Sequence, residues 1–420
     1  MYSLAINKQQ KTKKKREKLM TGKTASGANK LLTLIAVTLA FSFTFLSRYI
    51  WSPLMNDVSA EFGINATQAG LYMSAFFAGY LITQIPGGIL ADKYQPKYIL
   101  LVCTVLGGLM TGAMALLKSY EMGLVIRVVT GISAGCVMAQ CSKIVAITFA
   151  PQQRAMAMGV VLASPPFGIT LAQSIGAPMN QAFGWRGTFA AVAAVALVIA
   201  VLIVVFVKPI DRKGAAPAPK GKQPGMLEGL RVFFTDSQQL ILGVSGFLFM
   251  FVTVGFATWT NRYVQSLGLT AVQGGLIVTC YSIAGVVGSC ISGGLAAKLH
   301  ASHRSFLLVS LAAMAVMTLV FAFQRSYGAM IGVGIVYGAV SYLPSTHYTT
   351  LAMKRAGDRY SATAASTQNL LFQLSSLIMP VVLGYVLDST NNNYSYNWYI
   401  FFGCCAVASV LCLLVKKNDN

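Results

Sequence analysis

The sequence has few charged residues, and the acidic ones are the scarcest. Only 10% of its 420 residues are Asp, Glu, Lys or Arg, and 11 of them are acidic, whereas soluble globular chains carry about 25% charged residues. Hydrophobic residues make up 55% of the chain, and its mean hydropathy is +0.64. This composition excludes an ordinary soluble domain and predicts an integral membrane protein in contact with the lipid bilayer.

The sequence also lacks the signatures of several chemistries. None of its eight cysteines forms a Cys-x-x-Cys zinc pair, and all fall within apolar segments. A phosphate-binding glycine loop, a His-Glu-x-x-His pair and a candidate catalytic triad are also missing. We therefore expect no enzyme activity, no cofactor, no metal and no ATP-driven transport. The net charge of +21 does not indicate nucleic acid binding, because the basic residues follow membrane topology.

Long apolar segments recur from end to end of the chain. About 20 helical residues cross a bilayer core, and segments of this length predict twelve transmembrane helices. They are residues 31–55, 67–90, 98–117, 122–149, 155–180, 187–207, 238–260, 270–297, 305–323, 327–353, 361–387 and 397–415. The predicted fold class is an all-α membrane protein of two six-helix bundles, and we expect a monomer.

The longest polar interruption divides these helices six and six. It contains KPIDRKGAAPAPKGKQPG, whose Pro, Gly and Lys content is typical of a linker. The predicted regions are a basic cytoplasmic tail (1–30), an N-terminal bundle (31–207), a cytoplasmic linker (208–236), a C-terminal bundle (237–415) and a cytoplasmic C-terminus (416–420).

The distribution of Lys and Arg predicts the orientation. Basic residues concentrate on cytoplasmic segments of membrane proteins. Most of the 32 Lys and Arg residues lie on the side of the N-terminal tail, whereas Lys118, Arg186 and Arg325 lie on the opposite side. We therefore expect both termini in the cytoplasm and a multi-pass protein of the cell (inner) membrane.

The two predicted bundles contain an internal repeat. FGINATQAGLYMSAFFAGYLITQIPGGILADK, from Phe62, aligns without gaps to LGLTAVQGGLIVTCYSIAGVVGSCISGGLAAK, from Leu267. The alignment matches Gly63, Gln68, Gly70 and Gly88 to Gly268, Gln273, Gly275 and Gly293. Together with the central linker, this self-similarity predicts a duplicated architecture.

Arg48 is the one charge inside the first apolar segment. A charged side chain at membrane depth is costly and usually faces a polar cavity. The repeat aligns Arg262 with Asp57, just outside the membrane, and Arg48 lies nine residues earlier, or ~13 Å deeper at 1.5 Å per residue. We therefore expect Arg48 to line a cavity, the alternative being a side chain that extends to the headgroups.

Two motifs in the N-terminal bundle resemble a known family. Residues 88–97 read GILADKYQPK and resemble the major facilitator superfamily signature G-x-L-A-D-R-x-G-R-K between helices two and three, with Gln95 in place of glycine. This resemblance implies a cytoplasmic latch in which Asp92, Lys93 and Lys97 act in gating. The RVVTG sequence that begins at Arg127 resembles the family's R-x-x-x-G motif, whose arginine commonly faces the central cavity.

Three shorter motifs extend the resemblance over residues 31–415. They begin at Phe149, Gly184 and Arg359, and they resemble the turns that precede helices five, six and eleven of the family. The resemblance implies a secondary transporter that works by rocking of its halves. An arginine late in helix one is similar to that of organic-anion carriers such as anion:cation symporters. Residues 132–135 lack the carboxylate that such carriers often have, and oxalate:formate exchangers also use buried bases, so symport and exchange both stay open.

The positions of the acidic residues indicate the sign of the cavity. None of the 11 falls in the middle third of a predicted helix, so Arg48, Arg127 and Lys143 have no evident carboxylate partner. Because an unpaired buried charge is expensive, the positive cavity favours an anionic solute. The predicted substrate-binding residues are Arg48, Arg127, Gln140, Lys143, Tyr281 and Asn369.

Each of these side chains also has an alternative interpretation. Arg127 could bond the carbonyls of a neighbouring helix, Lys143 could extend to the cytoplasm, and the amides could bond between helices. His347 is interpreted as the one histidine inside a helix and a candidate for proton coupling, since its usual pKa lies near neutral.

The leading functional hypothesis is symport or exchange of a small organic anion, a mono- or dicarboxylate, with a proton or a counter-anion as the coupled species. One alternative is a proton-coupled exporter of drugs or cationic solutes, which usually needs an embedded acid. A second alternative is a non-transporting membrane receptor with the same fold.

Overall fold

The computed structural model describes residues 27–209 and 226–416, and every regular element in them is helical. Most of the predicted tail, the middle of the predicted linker and residues 417–420 lie outside the described residues. The N-terminal half contains α1 (Gly27–Tyr49), α2 (Trp51–Phe62), α3 (Ala66–Lys93), α4 (Pro96–Ala113), α5 (Tyr120–Gly135), α6 (Val137–Thr148), α7 (Pro151–Leu162) and α8 (Ser164–Phe206). The C-terminal half contains α9 (Met226–Thr235), α10 (Ser237–Ser266), α11 (Ala271–Lys298), α12 (His303–Ala322), α13 (Tyr327–Tyr342), α14 (Pro344–Ser389) and α15 (Ser395–Leu414).

Eleven helical segments of the described chain are long and apolar enough to cross a membrane. One of them runs over 56 residues, from Pro151 to Phe206, which at 1.5 Å per residue is more than twice the ~30 Å of a bilayer core. Gly184 interrupts this segment with φ 67° and ψ 170°. The predicted helices 155–180 and 187–207 therefore lie on either side of a glycine break.

The first observed helical segment extends beyond the predicted range of residues 31–55 at both ends, and it contains a break. It ends at Tyr49 and resumes as Trp51–Phe62. Pro53 lacks the N–H that would bond the carbonyl of Tyr49 four residues earlier, and its ring crowds that carbonyl. The break gives other helices access to backbone carbonyls at the end of α1.

The internal repeat is visible in the geometry of α3 and α11. Each helix has 28 residues, and each begins with a capping box, from Asn65 with Gln68 and from Thr270 with Gln273. The matched glutamines are thus the N3 residues that accept a hydrogen bond from the N-cap backbone. The repeat in the sequence thus corresponds to two helices that have the same length and begin with the same capping arrangement.

Gly70 and Gly275, another matched pair, bring the two halves together. A Cβ atom at Gly70 would collide with the carbonyl oxygen of Pro380, and one at Gly275 would collide with that of Gln173. Each glycine therefore lets its helix approach the backbone of the opposite half. Both contacts lie at one end of the molecule, which we call the Asp388 end.

Hydrogen bonds between the halves gather at the same end. Asp388 accepts from the backbone N–H groups of Ala66 at 2.9 Å and Thr67 at 2.8 Å, and from the Thr67 hydroxyl at 2.5 Å. Ser52 donates to the carbonyl of Thr258 at 2.7 Å. At the opposite end, which we call the Asp92 end, a cavity of about 370 Å³ separates α3 from α14. The structure is closed at the Asp388 end and open toward the Asp92 end.

Candidate functional site

A cavity of about 160 Å³ lies between the two halves. The N-terminal half contributes residues of α1, α3 and α8, and the C-terminal half contributes residues of α10, α13 and α14. The lining consists of Phe45, Arg48, Tyr49, Phe77, Pro165, Ile169, Phe249, Met250, Thr253, Val254, Ala257, Tyr342, Ser345, Gln373 and Ser376. Arg48 is the one charged residue in this lining.

Aromatic rings surround the guanidinium group of Arg48. Its Cζ atom lies 4.8 Å from the ring centroid of Phe45, 4.7 Å from Phe76, 4.6 Å from Phe77 and 4.9 Å from Tyr80. We call these four rings the aromatic cage. Ring faces attract a cation through their quadrupoles, by about 0.5–2 kcal/mol each. The cage thus holds the positive charge without neutralising it.

Arg48 is buried, and part of its hydrogen-bonding capacity is unused. The side chain is 3% exposed, which argues against its extending to the headgroups. Its Nε and Nη2 atoms have no hydrogen-bond partner among the described residues, and its charged group interacts with the hydroxyls of Tyr49 and Tyr80 but with no carboxylate. A planar guanidinium with free donors matches the two oxygens of a carboxylate.

Arg127 is equally buried, but its nitrogens are occupied. Nε donates to the carbonyl of Tyr72 at 3.1 Å, Nη1 to that of Ser47 at 2.9 Å and Nη2 to that of Arg48 at 3.0 Å. Two of these carbonyls lie at the end of α1, beside the break caused by Pro53. Arg127 is not in the cavity lining, and these contacts favour the alternative in which it joins helices; a binding role for it stays a prediction.

Lys143 forms an ion pair with Asp92, with 2.7 Å between Nζ and Oδ1. The expectation that Lys143 lacks a carboxylate partner is therefore wrong, because Asp92, in the last turn of α3, lies at the same end of the bundle as Lys143. Lys97 donates to the carbonyl of Val204 at 2.8 Å, and Lys93 has an interaction of its own. The gating roles of Asp92, Lys93 and Lys97 stay predictions.

Gln140 and Tyr281 are both fully buried outside the central cavity. Gln140 donates from Nε2 to the carbonyl of Gly87 at 2.9 Å, which is a bond between helices. Tyr281 stacks on Phe256, with 4.1 Å between ring centroids, inside the C-terminal half. Their contacts are those of packing residues, and their substrate contacts stay predictions.

Asn369 lines the larger cavity toward the Asp92 end, together with Gln84, Ser366 and Thr367. Gln373, one helical turn further along α14, lines the central cavity. One face of α14 therefore passes from the open end of the molecule to the aromatic cage. Asn369 lies on this path and not beside Arg48.

His347 belongs to a hydrogen-bonded chain in the C-terminal half. The Ser292 hydroxyl donates to the carbonyl of Leu343 at 2.7 Å, so His347 Nε2 donates to Ser292 Oγ at 3.0 Å. His347 Nδ1 then accepts a hydrogen bond from His303 Nδ1, 2.8 Å away. Because His303 is the first residue of α12, the interpretation of His347 as the one helical histidine is wrong. Its coupling role stays a prediction.

Sequence reasoning missed most of the site around Arg48. Phe45 lies one turn before Arg48 on α1, a spacing that places both on one face, and this signal was available. Phe76 and Phe77 lie on α3, and nothing in the sequence gives the rotation of α3 relative to α1. The hydroxyl-bearing residues Thr253, Ser345 and Ser376 are ordinary helix residues until the two halves are placed together.

Known proteins share both the sequence pattern and the fold. The family model of the Major Facilitator Superfamily matches residues 37–380. A hexuronate transporter of Bacillus subtilis is 26% identical over 375 residues, covering 86% of this chain and 89% of its own length. A protein of Escherichia coli strain K12 named “Probable galactarate/D-glucarate transporter” is 22% identical over 433 residues, covering 92% of this chain and 94% of its own length.

Among solved structures, a bacterial homologue of the human lysosomal transporter Spinster, in an inward-facing and unoccupied conformation, has a TM-score of 0.77 at 17% identity. The match covers 93% of this chain and 95% of that one, and shows the fold. The resemblance noted in the sequence motifs is confirmed over most of the chain: this membrane protein belongs to the Major Facilitator Superfamily, a family of transporters and not of enzymes.

Proposed function

We propose that this chain carries a small organic anion across the cell (inner) membrane by alternating access. Twelve helices would cross the bilayer, with the helix pair around Gly184 counted as two and both termini in the cytoplasm. The Asp388 end would then face outward and the Asp92 end the cytoplasm, in agreement with the concentration of Lys and Arg at the latter.

One observation carries the proposal: Arg48 lines a cavity between the halves, and its buried Nε and Nη2 donors have no hydrogen-bond partner among the described residues. A buried, uncompensated cation is costly, and a bound carboxylate would supply both the missing charge and the missing acceptors. A cation held in this position instead of an acid also disfavours a cationic solute. The anion would thus be bound where both halves touch it, as alternating access requires.

The names of the relatives support an anionic solute. Hexuronate has one carboxylate, whereas galactarate and glucarate have two. These names therefore agree on the sign of the charge and differ on its amount. Symport and anion exchange are both compatible with the proposal, with a proton or a counter-anion as the coupled species.

The proposal is tested with purified full-length protein and the variant Arg48→Met. We expect organic carboxylates to raise the Tm of the wild-type protein and organic cations to leave it unchanged. Arg48→Met should lose the response to carboxylates while keeping its fold, as judged by circular dichroism and gel filtration. Stabilisation by cations alone, or an unchanged carboxylate response in Arg48→Met, would contradict the proposal.

Flux in proteoliposomes separates a transporter from a receptor. We expect a radiolabelled organic acid that stabilises the protein to accumulate in wild-type vesicles and not in vesicles with Arg48→Met. Binding without any flux, under an imposed proton gradient and with internal counter-anion, would favour a receptor.

A further inference from the structure

The cavity beside Arg48 has one charged side and one uncharged, hydrogen-bonding side. The charge belongs to α1 of the N-terminal half. The polar groups opposite all belong to the C-terminal half, and we call them the hydroxyl face: Thr253, Tyr342, Ser345, Gln373 and Ser376. A solute in this cavity therefore meets a cation on one side and neutral polar groups on the other.

Three of the four hydroxyl protons on this face are already used. Thr253 donates to the carbonyl of Phe249 at 3.1 Å, Ser345 to that of Tyr342 at 2.8 Å and Ser376 to that of Phe372 at 3.0 Å. A hydroxyl has one donor and two acceptor lone pairs. Each of these three oxygens consequently presents lone pairs to the cavity. These three oxygens accept hydrogen bonds from O–H groups and disfavour a carboxylate.

The cavity also lacks a second cation for a second negative charge. Arg127 donates its side-chain nitrogens to three backbone carbonyls, and Lys143 is paired with Asp92. Arg48 is the one charge in the lining. One carboxylate is therefore matched, and a second would be buried without a cation to compensate its charge.

Resting on the proposed function, we infer that the site selects a hydroxylated monocarboxylate over the dicarboxylate of the same carbon skeleton. The carboxylate lies at Arg48 in the aromatic cage, and the hydroxyl groups donate to the hydroxyl face. The solute is thereby oriented, with its charged end on the N-terminal half and its hydroxylated end on the C-terminal half.

Three probes test the inference by calorimetric titration of the purified full chain. D-gluconate and D-glucarate share a six-carbon hydroxylated skeleton and differ by one terminal carboxylate, whereas hexanoate has one carboxylate and no hydroxyl. We expect gluconate to bind at least about tenfold more tightly than either of the others. Equal or tighter binding of glucarate overturns the charge count, and equal binding of hexanoate overturns the role of the hydroxyl face.

Substitutions at Gln373 test the same inference by gain of function. Gln373→Lys places a second cation on the hydroxyl face and should raise the affinity for glucarate relative to gluconate by at least about tenfold. Gln373→Met, of similar length and neutral, is the matched control and should weaken both hexose-derived acids to a similar extent. An unchanged ratio in Gln373→Lys contradicts the inference; should that variant not fold, the wild-type comparison decides alone.

The outcomes separate this inference from the proposed function. Glucarate binding that equals gluconate binding, and that Arg48→Met abolishes, overturns the inference and leaves the anion carrier intact. Gluconate binding that survives in Arg48→Met overturns the proposed function and the inference with it. Failure of all three probes to bind the wild-type protein also overturns the inference.

Discussion

The two halves of this protein share a helix plan and differ in where they bury charge. Among the described residues, the buried Lys, Arg, Asp and Glu side chains are Arg48 and Arg127, both in the N-terminal half. The C-terminal half buries hydroxyls, amides and the titratable His347. We call the N-terminal half the charged half and the C-terminal half the neutral half of this duplicated scaffold. The central cavity lies where these two meet.

The charged half itself contains two arginines in opposite situations. Arg127 donates to three carbonyls and joins α1, α3 and α5, whereas Arg48 has donors without partners in the aromatic cage. The two side chains are neighbours, since Arg127 donates to the backbone carbonyl of Arg48. Burial therefore does not distinguish the roles of the two arginines, whereas their hydrogen bonds do.

The largest expected effect comes from Arg127→Met. Each hydrogen bond from a charged donor contributes about 1.5–3 kcal/mol, and three are lost together with the contact between α5 and the end of α1. We expect the free energy of unfolding to fall by at least ~3 kcal/mol, measured as a loss of Tm and of gel-filtration monodispersity in detergent.

Arg48→Met is the matched control for that change. It removes the same group from an equally buried position, but Arg48 Nε and Nη2 have no hydrogen-bond partner among the described residues. We expect the relief of the buried charge to offset the lost attraction of the aromatic rings, so that unliganded stability stays the same or rises. If Arg48→Met destabilised the unliganded protein as much as Arg127→Met, the distinction between the two arginines would be wrong.

A smaller effect is expected from Asp388→Asn, which weakens the link between the halves. The carboxylate caps the start of α3, a favourable position for a negative charge. Losing that charge should cost the closed Asp388 end about 1 kcal/mol, or roughly a fivefold shift in population. The shift is measured as faster labelling, by an impermeant maleimide, of a cysteine introduced at the buried interface residue Ser52.

Two comparisons make this measurement decisive. The chain with Ser52→Cys and native Asp388 gives the reference rate, and the chain without Ser52→Cys gives the rate from native thiols. Asp388→Glu keeps the charge, and its labelling rate should lie between those of native Asp388 and Asp388→Asn. Identical labelling of all three Ser52→Cys proteins would mean that Asp388 does not help to hold the halves together.

The smallest effect is expected from His347→Gln in the neutral half. His303 Nδ1 and His347 Nδ1 lie 2.8 Å apart with one N–H between them, and a proton added at His347 Nδ1 would set two N–H donors against each other. Acidification should therefore lower the Tm of the wild-type protein, and His347→Gln should lose part of that dependence between about pH 7 and pH 5. The same substitution should flatten the pH dependence of transport; an unaltered profile would exclude a coupling role for His347.

How much of this could be predicted from sequence depends on the distance over which each feature acts. The repeat, the break at Gly184 and the burial of Arg48 follow from local pattern, and all three appear in the structure. The pair of Lys143 with Asp92 joins residues 51 apart, and the bond of Thr67 with Asp388 joins residues 321 apart. Such contacts depend on the rotation and tilt of helices, which hydropathy leaves undetermined.

The Gly70 and Gly275 contacts have a consequence for the speed of the cycle. At both places the two halves meet backbone against backbone, without a side chain between them. When the two halves separate at these contacts, no side chain gains rotamer freedom, and when they close, none loses it. Opening and closing therefore lack the change in side-chain entropy that interdigitated side chains would add. These two contacts are thus made by shape alone, beside the hydrogen bonds of Asp388 and Ser52 at the same end. Contacts of this kind help the two access states to stay close in free energy, which a carrier that visits both on every turnover requires.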